Sequence, residues 1–218
     1  GVGEMVETDA VNFEASDVLR LFPSFVWKAQ MAPSVRQGIE KDVLAKLDKM
    51  RLGAGDPAPG RGWQSAKDLH HLDEFLGLVT CINDAAESVL EFLKTGDGAF
   101  EITGLWANMS PKGATHPVHS HPNNFLSGVY YIRTHEGADT VNFHDPRPQT
   151  GIIRPPVTEL TAENTDQVVV KVEDGSLLMF PSWLPHSVDA SASDETRISV
   201  SFNIMFPAFT ETMSKPLW

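Results

Sequence analysis

Residues 196–206, TRISVSFNIMF, alternate polar and apolar side chains, with Arg197, Ser199, Ser201 and Asn203 on one face and Ile198, Val200 and Phe202 on the other. A period of two is that of a β-strand. Working back from it, the runs SLLMF (176–180), QVVVKV (167–172), DTVNF (139–143), FLSGVYYIR (125–133) and FEITGLWANM (100–109) have the same β-rich character, and Asp174-Gly175 forms a turn between two of them. Two helical patterns precede residue 99. Ser34 with Gln37 has the spacing of a capping box and opens the first, whose apolar positions are Val35, Ile39, Val43, Leu47 and Met50. The Gly/Pro-dense stretch AGDPAPGRG (54–62) ends it. The second is expected from Leu72, with a stripe of Phe75, Leu76, Val79, Ile82, Ala86, Val89, Leu90 and Leu93 and a stop at Gly96 and Gly98. Helices first and strands afterwards, with no βαβ alternation, indicate a mainly β, α+β fold: an antiparallel jelly roll, the cupin-like double-stranded β-helix, buttressed by helices.

A chain of 218 residues is expected to form a single domain, 1–218, in which 1–98 supply an N-terminal strand and helical support and 99–206 the β-core. At this size it needs neither disulfides nor a structural metal to build a core. The formal net charge of −12, from 17 Lys+Arg against 29 Asp+Glu, argues against a phosphate-backbone footprint, so no nucleic-acid partner is expected. No stretch approaches a bilayer span, and the beginning of the sequence, GVGEMVETDA, is acidic where a secretory signal is basic and then apolar. Cys81 is the only cysteine, which excludes an intramolecular disulfide and a thiolate-rich zinc site. The expectation is a soluble, cytoplasmic protein in which Cys81 fills core space.

Five of the eight histidines lie between residues 116 and 144, concentrated in HPVHSHPNN (116–124). At strand spacing His119 and His121 point to one side and Ser120 to the other, so the pair offers two imidazoles to one point. His186, 65 residues beyond His121, follows an apolar strand and a Pro-containing turn and is placed to be a third ligand. His70-His71 reads as a surface pair. His116, His135 and His144 lack a spacing partner and read as solvated or hydrogen-bonded, with His144 at a mouth or exposed in FHDPRP. The polar face of 197–203 leaves two readings open. Either it is exposed on an ordinary amphipathic strand, or it faces the interior and Arg197 becomes a buried cation that requires an anion, with Ser199 adding a hydroxyl.

In order and spacing these residues resemble the 2-oxoglutarate- and Fe(II)-dependent dioxygenase superfamily, whose pattern is a strand H-x-D/E, a distal His and then Arg-x-Ser. Here His119-Ser120-His121, His186 and Arg197-Ile198-Ser199 stand in that order, with 11 residues from His186 to Arg197. FLSGVYYI is similar to the strand that follows the first ligands in prolyl-hydroxylase-like members. The segments WANMSPKG, HSHPNNFLSGVYYI, FHDPR, DGSLLMFPSWLPHSV and RISVSFNI resemble a functionally unassigned 2-oxoglutarate-Fe(II) oxygenase family over roughly residues 99 to 206. The resemblance implies Fe(II) held by His119, His121 and His186, with 2-oxoglutarate as cosubstrate and O2 as oxidant. It also implies Arg197 and Ser199 on the far carboxylate, Tyr131 and Ser127 reaching the cosubstrate, and Asn108 and Asn203 in support. Hydroxylation of a small molecule or an amino-acid side chain, with release of succinate and CO2, is the implied outcome.

The sequence departs from the pattern where the acidic ligand is expected, because His121 stands there and Asp145 lies in a loop. Three neutral ligands leave the full charge on the metal, which favours a dianionic cosubstrate but also suits a zinc site. A cupin-like metal-binding or sensor domain and a zinc-dependent lyase or hydrolase are therefore the alternatives. Trp63, Trp106, Phe125 and Trp183 are candidates to line a substrate pocket, although such aromatics more often belong to a core. An edge strand and the apolar helix stripe make a homodimer conceivable.

Overall fold

The computed structural model describes residues 4–5, 12–58, 60–96, 98–151 and 153–212. In chain order its elements are β1 (Glu4–Met5), β2 (Asp17–Val18), β3 (Trp27–Gln30), α1 (Pro33–Leu52), β4 (Trp63–Gln64), α2 (Leu76–Phe92), β5 (Glu101–Ser110), β6 (His116–His119), β7 (Leu126–Arg133), β8 (Thr140–His144), β9 (Gln167–Lys171), β10 (Ser176–Pro181), β11 (His186–Val188), β12 (Arg197–Met205) and α3 (Pro207–Thr210). Two antiparallel sheets form the core, one in the order β3-β10-β7-β12-β5-β4 and the other β6-β11-β8-β9, while β1 and β2 pair separately. This is the helix-buttressed jelly roll that the strand pattern predicts. Among the described residues no helix is long and apolar enough to cross a membrane.

The period of two sorts the larger sheet into two faces. Val200, Phe202 and Ile204 of β12, Leu126, Tyr130 and Ile132 of β7 and Leu177 and Met179 of β10 join one apolar cluster with Val43 and Leu47 of α1 and Ile82, Ala86 and Val89 of α2. On the opposite face, Tyr131, Leu178 and Phe180 meet Val141 and Phe143 of the smaller sheet in a second cluster. The polar face of β12 therefore points between the sheets, and Arg197, Ser199 and Asn203 are all buried. Gly128 sits where this stacking is closest, since a Cβ there would lie 2.2 Å from the Phe202 ring and 2.5 Å from the Leu178 carbonyl.

Both helices begin at other residues than the sequence suggests. Pro33 supplies the fixed φ of a first helical position, so Ala32 becomes the N-cap without a side-chain bond and Ser34 lies inside the first turn instead of capping it. Within the α1 stripe Val43 and Leu47 are buried, whereas Val35 is exposed. The expected start of the second helix is taken by two 3₁₀ turns, Leu69–His71 and Asp73–Phe75, because Leu72 is extended at φ −94, ψ 137. Leu76 then starts α2 and is exposed, not part of the apolar stripe. The helix stops before Gly96, with Lys94 in the left-handed region at φ 55 and the Thr95 N–H donating to the Leu90 carbonyl. Cys81 is half-buried on α2, and burial together with Asp84 raises its thiol pKa, which keeps it unreactive.

One ion network ties α1 to the sheet. Glu40, 6% exposed, accepts hydrogen bonds from Arg36 (2.9 and 3.2 Å), the Tyr130 hydroxyl (2.6 Å) and Arg133 (3.0 Å). Burial alone raises the carboxyl pKa, but these donors outweigh it and hold the group below the ordinary range. Glu40→Ala leaves the Tyr130 hydroxyl without its buried acceptor and leaves Arg36 and Arg133 only the more distant Asp174 carboxylate. The expected loss is about 3 kcal/mol of unfolding free energy, read by urea denaturation.

Candidate metal centre

A cavity of about 220 Å³ opens between the sheets, lined by His116, His119, His121, His186, Tyr131, Arg197 and Ser199, among others. The three predicted ligands converge there. One ring nitrogen from each of His119, His121 and His186 lies within 4.8 Å of the others, and the Nε2 atoms of His121 and His186 are 3.3 Å apart.

The convergence comes from cross-strand pairing and a turn more than from the i, i+2 rule. His119 ends β6 and pairs directly with His186 of β11, their ring centroids 4.3 Å apart. His121 lies beyond the strand, pinned by its backbone N–H donating to the Ser182 carbonyl at 2.9 Å. The chain has left the strand here, and Ser120 lies exposed at the cavity wall. A register shift lets four residues of β6, His116 to His119, span three of β11, His186 to Val188. Such a bulge turns His116 into the cavity beside His119, and Pro117, which has no N–H to offer the ladder, sits inside it. His116 is therefore a cavity residue, where the sequence reading has it solvated or hydrogen-bonded. Neither of the other two unpartnered histidines lines the cavity: His144 Nε2 meets Ser187 Oγ at 2.8 Å, and His135 pairs with Glu195.

The donor chemistry fits a divalent cation. His119 Nδ1 lies 2.8 Å from the Pro117 carbonyl and His186 Nδ1 lies 3.0 Å from the Leu184 carbonyl. A carbonyl only accepts, so each Nδ1 carries the proton and each Nε2 presents a lone pair to the cluster. Burial, with the neighbouring His186 and His119, pushes the His121 pKa down to about 3. Burial likewise pushes that of His186 to about 4, against the opposing effect of its Leu184 hydrogen bond. The imidazoles of His121 and His186 are thus neutral and competent as ligands near pH 7. Among the described residues no carboxylate joins the group. Asp145, expected in a loop, is there and binds Arg147 at 2.8 to 3.0 Å.

The depressed values also set the acid behaviour of the metal-free protein. The unfolded chain takes up protons on these histidines below about pH 6.5, their ordinary value, while the folded chain resists until about 4 at His186 and about 3 at His121. Stability is therefore present above pH 6.5 and declines as the pH falls toward 4. Thermal midpoints measured across that interval are expected to fall less steeply in His121→Gln.

Beyond the triad the cavity holds the predicted cation. Arg197 is 5% exposed, its Nε has no hydrogen-bond partner, and no carboxylate lies within ion-pair range of it among the described residues. Burial lowers its pKa, and only Tyr131 opposes that. Tyr131, on the strand position facing Ser199, is 2% exposed, and burial pushes its pKa up to about 12, so it remains a phenol and a donor. Ser127 lines the cavity but spends its hydroxyl on Asn203 Oδ1 (2.7 Å) and Ser182 Oγ (2.7 Å). Asn108 bridges Gln64 (3.0 Å) and Ser201 (3.1 Å). Of the four candidate aromatics Trp106 lines the cavity, Trp63 and Phe125 pack on the helix-side core, and Trp183 is exposed. The sequence reading missed His116, Gln64, Lys67 and Phe180 as lining residues. Gln64 belongs to a strand of two residues, too short to leave a periodic signal.

Residues 104–203 match the family described as "Putative 2OG-Fe(II) oxygenase". No functionally curated protein matches the chain. Among solved structures, the chain is similar to the non-heme alpha-ketoglutarate-dependent epimerase SnoN from nogalamycin biosynthesis, at 14% identity over 89% of each chain with a TM-score of 0.60. It is also similar to HygX from Streptomyces hygroscopicus, solved with nickel and 2-oxoglutarate (11% identity, 84% of this chain and 83% of that one, TM-score 0.57). A Pseudomonas putida prolyl-4-hydroxylase matches at 13% identity over 84% of this chain and 93% of its own, with a TM-score of 0.57. The family match falls on the β-core that carries the triad and Arg197, so the matched residues and the candidate metal centre coincide.

Proposed function

We propose that this chain is a cytoplasmic enzyme that hydroxylates a small molecule or an amino-acid side chain, with His119, His121 and His186 holding Fe(II) and Arg197 holding 2-oxoglutarate. The observation that carries the reading is a buried guanidinium without an anion that faces the same cavity as three converging imidazoles. A buried, unpaired cation is costly unless an anion arrives, and a dicarboxylate that reaches a metal at its other end supplies one. When bound, Fe(II) with O2 and 2-oxoglutarate supplies the oxidising chemistry: the cosubstrate loses CO2 to give succinate, and one oxygen atom enters a C–H bond of the substrate. The chain's own tasks are binding, orientation and exclusion of water. The guanidinium of Arg197, with the hydroxyls of Ser199 and Tyr131, receives the far carboxylate. Ser127 and Asn203 brace the wall beside His121, and Asn108 links that wall to Gln64. Residues 99–206 are taken as the catalytic core and 1–98 as its support, a division favoured by the packing of α1 and α2 on the outer face of the larger sheet.

The test is succinate formation from 2-oxoglutarate by the protein loaded with Fe(II) in the presence of ascorbate, together with 2-oxoglutarate binding measured with and without metal. Metal-dependent binding and succinate release are expected. Zinc retained through purification with no affinity for 2-oxoglutarate would overturn the reading in favour of a water-activating site, which the all-imidazole ligand set also suits.

A further inference from the structure

Arg197 is one of two cations on the cavity wall. The other is Lys67, which the β4–3₁₀ segment brings to the opposite end. Its backbone is fixed, because the Lys67 carbonyl accepts the Leu105 N–H at 2.9 Å and Asp68 bridges Leu105. Its ammonium stands over the Trp106 ring, 5.1 Å from the centroid, and the Trp106 ring stacks on His121 at 5.9 Å and 25°. Among the described residues no carboxylate pairs with Lys67, although the chain carries 12 more acidic than basic groups.

The register of β12 against β5 separates the two cations. Arg197 lies opposite Ser110, and Ser201, four residues on, lies opposite Trp106. That is about 13 Å along the strand at 3.3 Å per residue. His121 stands at the Lys67 end, its ring stacked on the Trp106 ring that the ammonium covers. A five-carbon diacid that chelates a metal on the triad and ends on Arg197 leaves Lys67 free. An ammonium on the far side of the reacting centre, held over an aromatic face and open to solvent, suits an anion that arrives after the cosubstrate.

We propose that Lys67 is a specificity-determining residue and that the molecule to be oxidised carries a carboxylate or another anionic group, which pairs with Lys67 while the reacting carbon faces the triad. This deepens the oxygenase reading and rests on it. The full chain loaded with Ni(II) and 2-oxoglutarate, which does not turn over, is titrated by ligand-observed NMR with 3-phenylpropanoate, hexanoate and N-acetylglycine, each beside its primary amide. Wild type is expected to hold at least one acid about tenfold more tightly than its amide. The preference should vanish in Lys67→Met and persist in Lys67→Arg. Equal binding of acids and amides by the wild type, failure of every acid to bind at millimolar concentration, or a preference that survives Lys67→Met overturns the proposal. Binding of 2-oxoglutarate by the wild type is measured first and tests the oxygenase reading by itself.

Discussion

His186→Ala is expected to abolish metal uptake and turnover together, with succinate formation falling by a factor on the order of 10³ or more. Of the three histidines His186 is the most enclosed, 5% exposed and set on β11 between β6 and β8. Its ring is fixed from two sides. The Leu184 carbonyl holds Nδ1, and Phe180 packs edge-on at 4.8 Å. That fixation gives Nε2 one direction, 3.3 Å from its counterpart on His121, a spacing that two ligands of a common ion adopt. Alanine leaves only His119, which is exposed, and His121, which hangs on a turn. Among the described residues no carboxylate stands in the cluster to take its place. The loss should be specific to the loaded protein. Removing a buried imidazole that must stay neutral also removes an acid-sensitive group, so the metal-free variant should keep its fold and lose less stability between pH 6.5 and 4. Calorimetric titration with Ni(II) and the thermal shift it produces are the measurements. One equivalent bound at wild-type affinity by the variant would remove His186 from the ligand set.

The sequence made the two-sheet architecture legible because burial on one face of a strand imposes a period of two, and β12 shows that period without interruption. It also brought out the ligands, although for a reason that holds only in part. His119 and His121 are two apart, yet only His119 belongs to a strand, and the cluster closes through its pairing with His186 and the His121–Ser182 backbone bond. Tertiary pairing of this kind leaves no local pattern. His116 was hidden for the same reason, since a bulge changes which side chains share a face and Pro117 is its only trace in the sequence. The orientation of the β12 polar face was open from spacing alone. The apolar side decided it, because two helices cover Val200 and Phe202, so the strand's only remaining polar space is the cavity. Helix starts were misplaced where a backbone device overrode side-chain signals: Pro33 took the first helical position, and extended Leu72 divided two 3₁₀ turns. Lys67 and Gln64 lie just past a Gly/Pro loop whose residues have no period, so their place at the cavity emerges only when β4 pairs with β5.

Arg197→Met is expected to raise the 2-oxoglutarate concentration needed for half-maximal turnover about 100-fold while the metal content stays normal. Arginine at this position presents a planar fork to a carboxylate, and burial removes the water that would otherwise compete. Methionine fills similar space without charge, so the change tests the cation and not the packing. The two states of the protein should respond in opposite directions. Without 2-oxoglutarate the wild type carries a guanidinium whose Nε has no partner and whose pKa burial has lowered, so its removal should leave the thermal midpoint unchanged or raise it. With 2-oxoglutarate the wild type gains the stabilisation of a bound ligand and the variant does not. A structural role for Arg197 gives the opposite pattern, a lower midpoint in both conditions and an unchanged dependence on 2-oxoglutarate. Arg197→Lys separates charge from shape: it restores the positive charge as a point without the fork, so its half-saturating concentration should fall between those of wild type and Arg197→Met. If both variants bind 2-oxoglutarate as the wild type does, the far carboxylate must sit elsewhere, and among the described lining residues only Lys67 offers another cation.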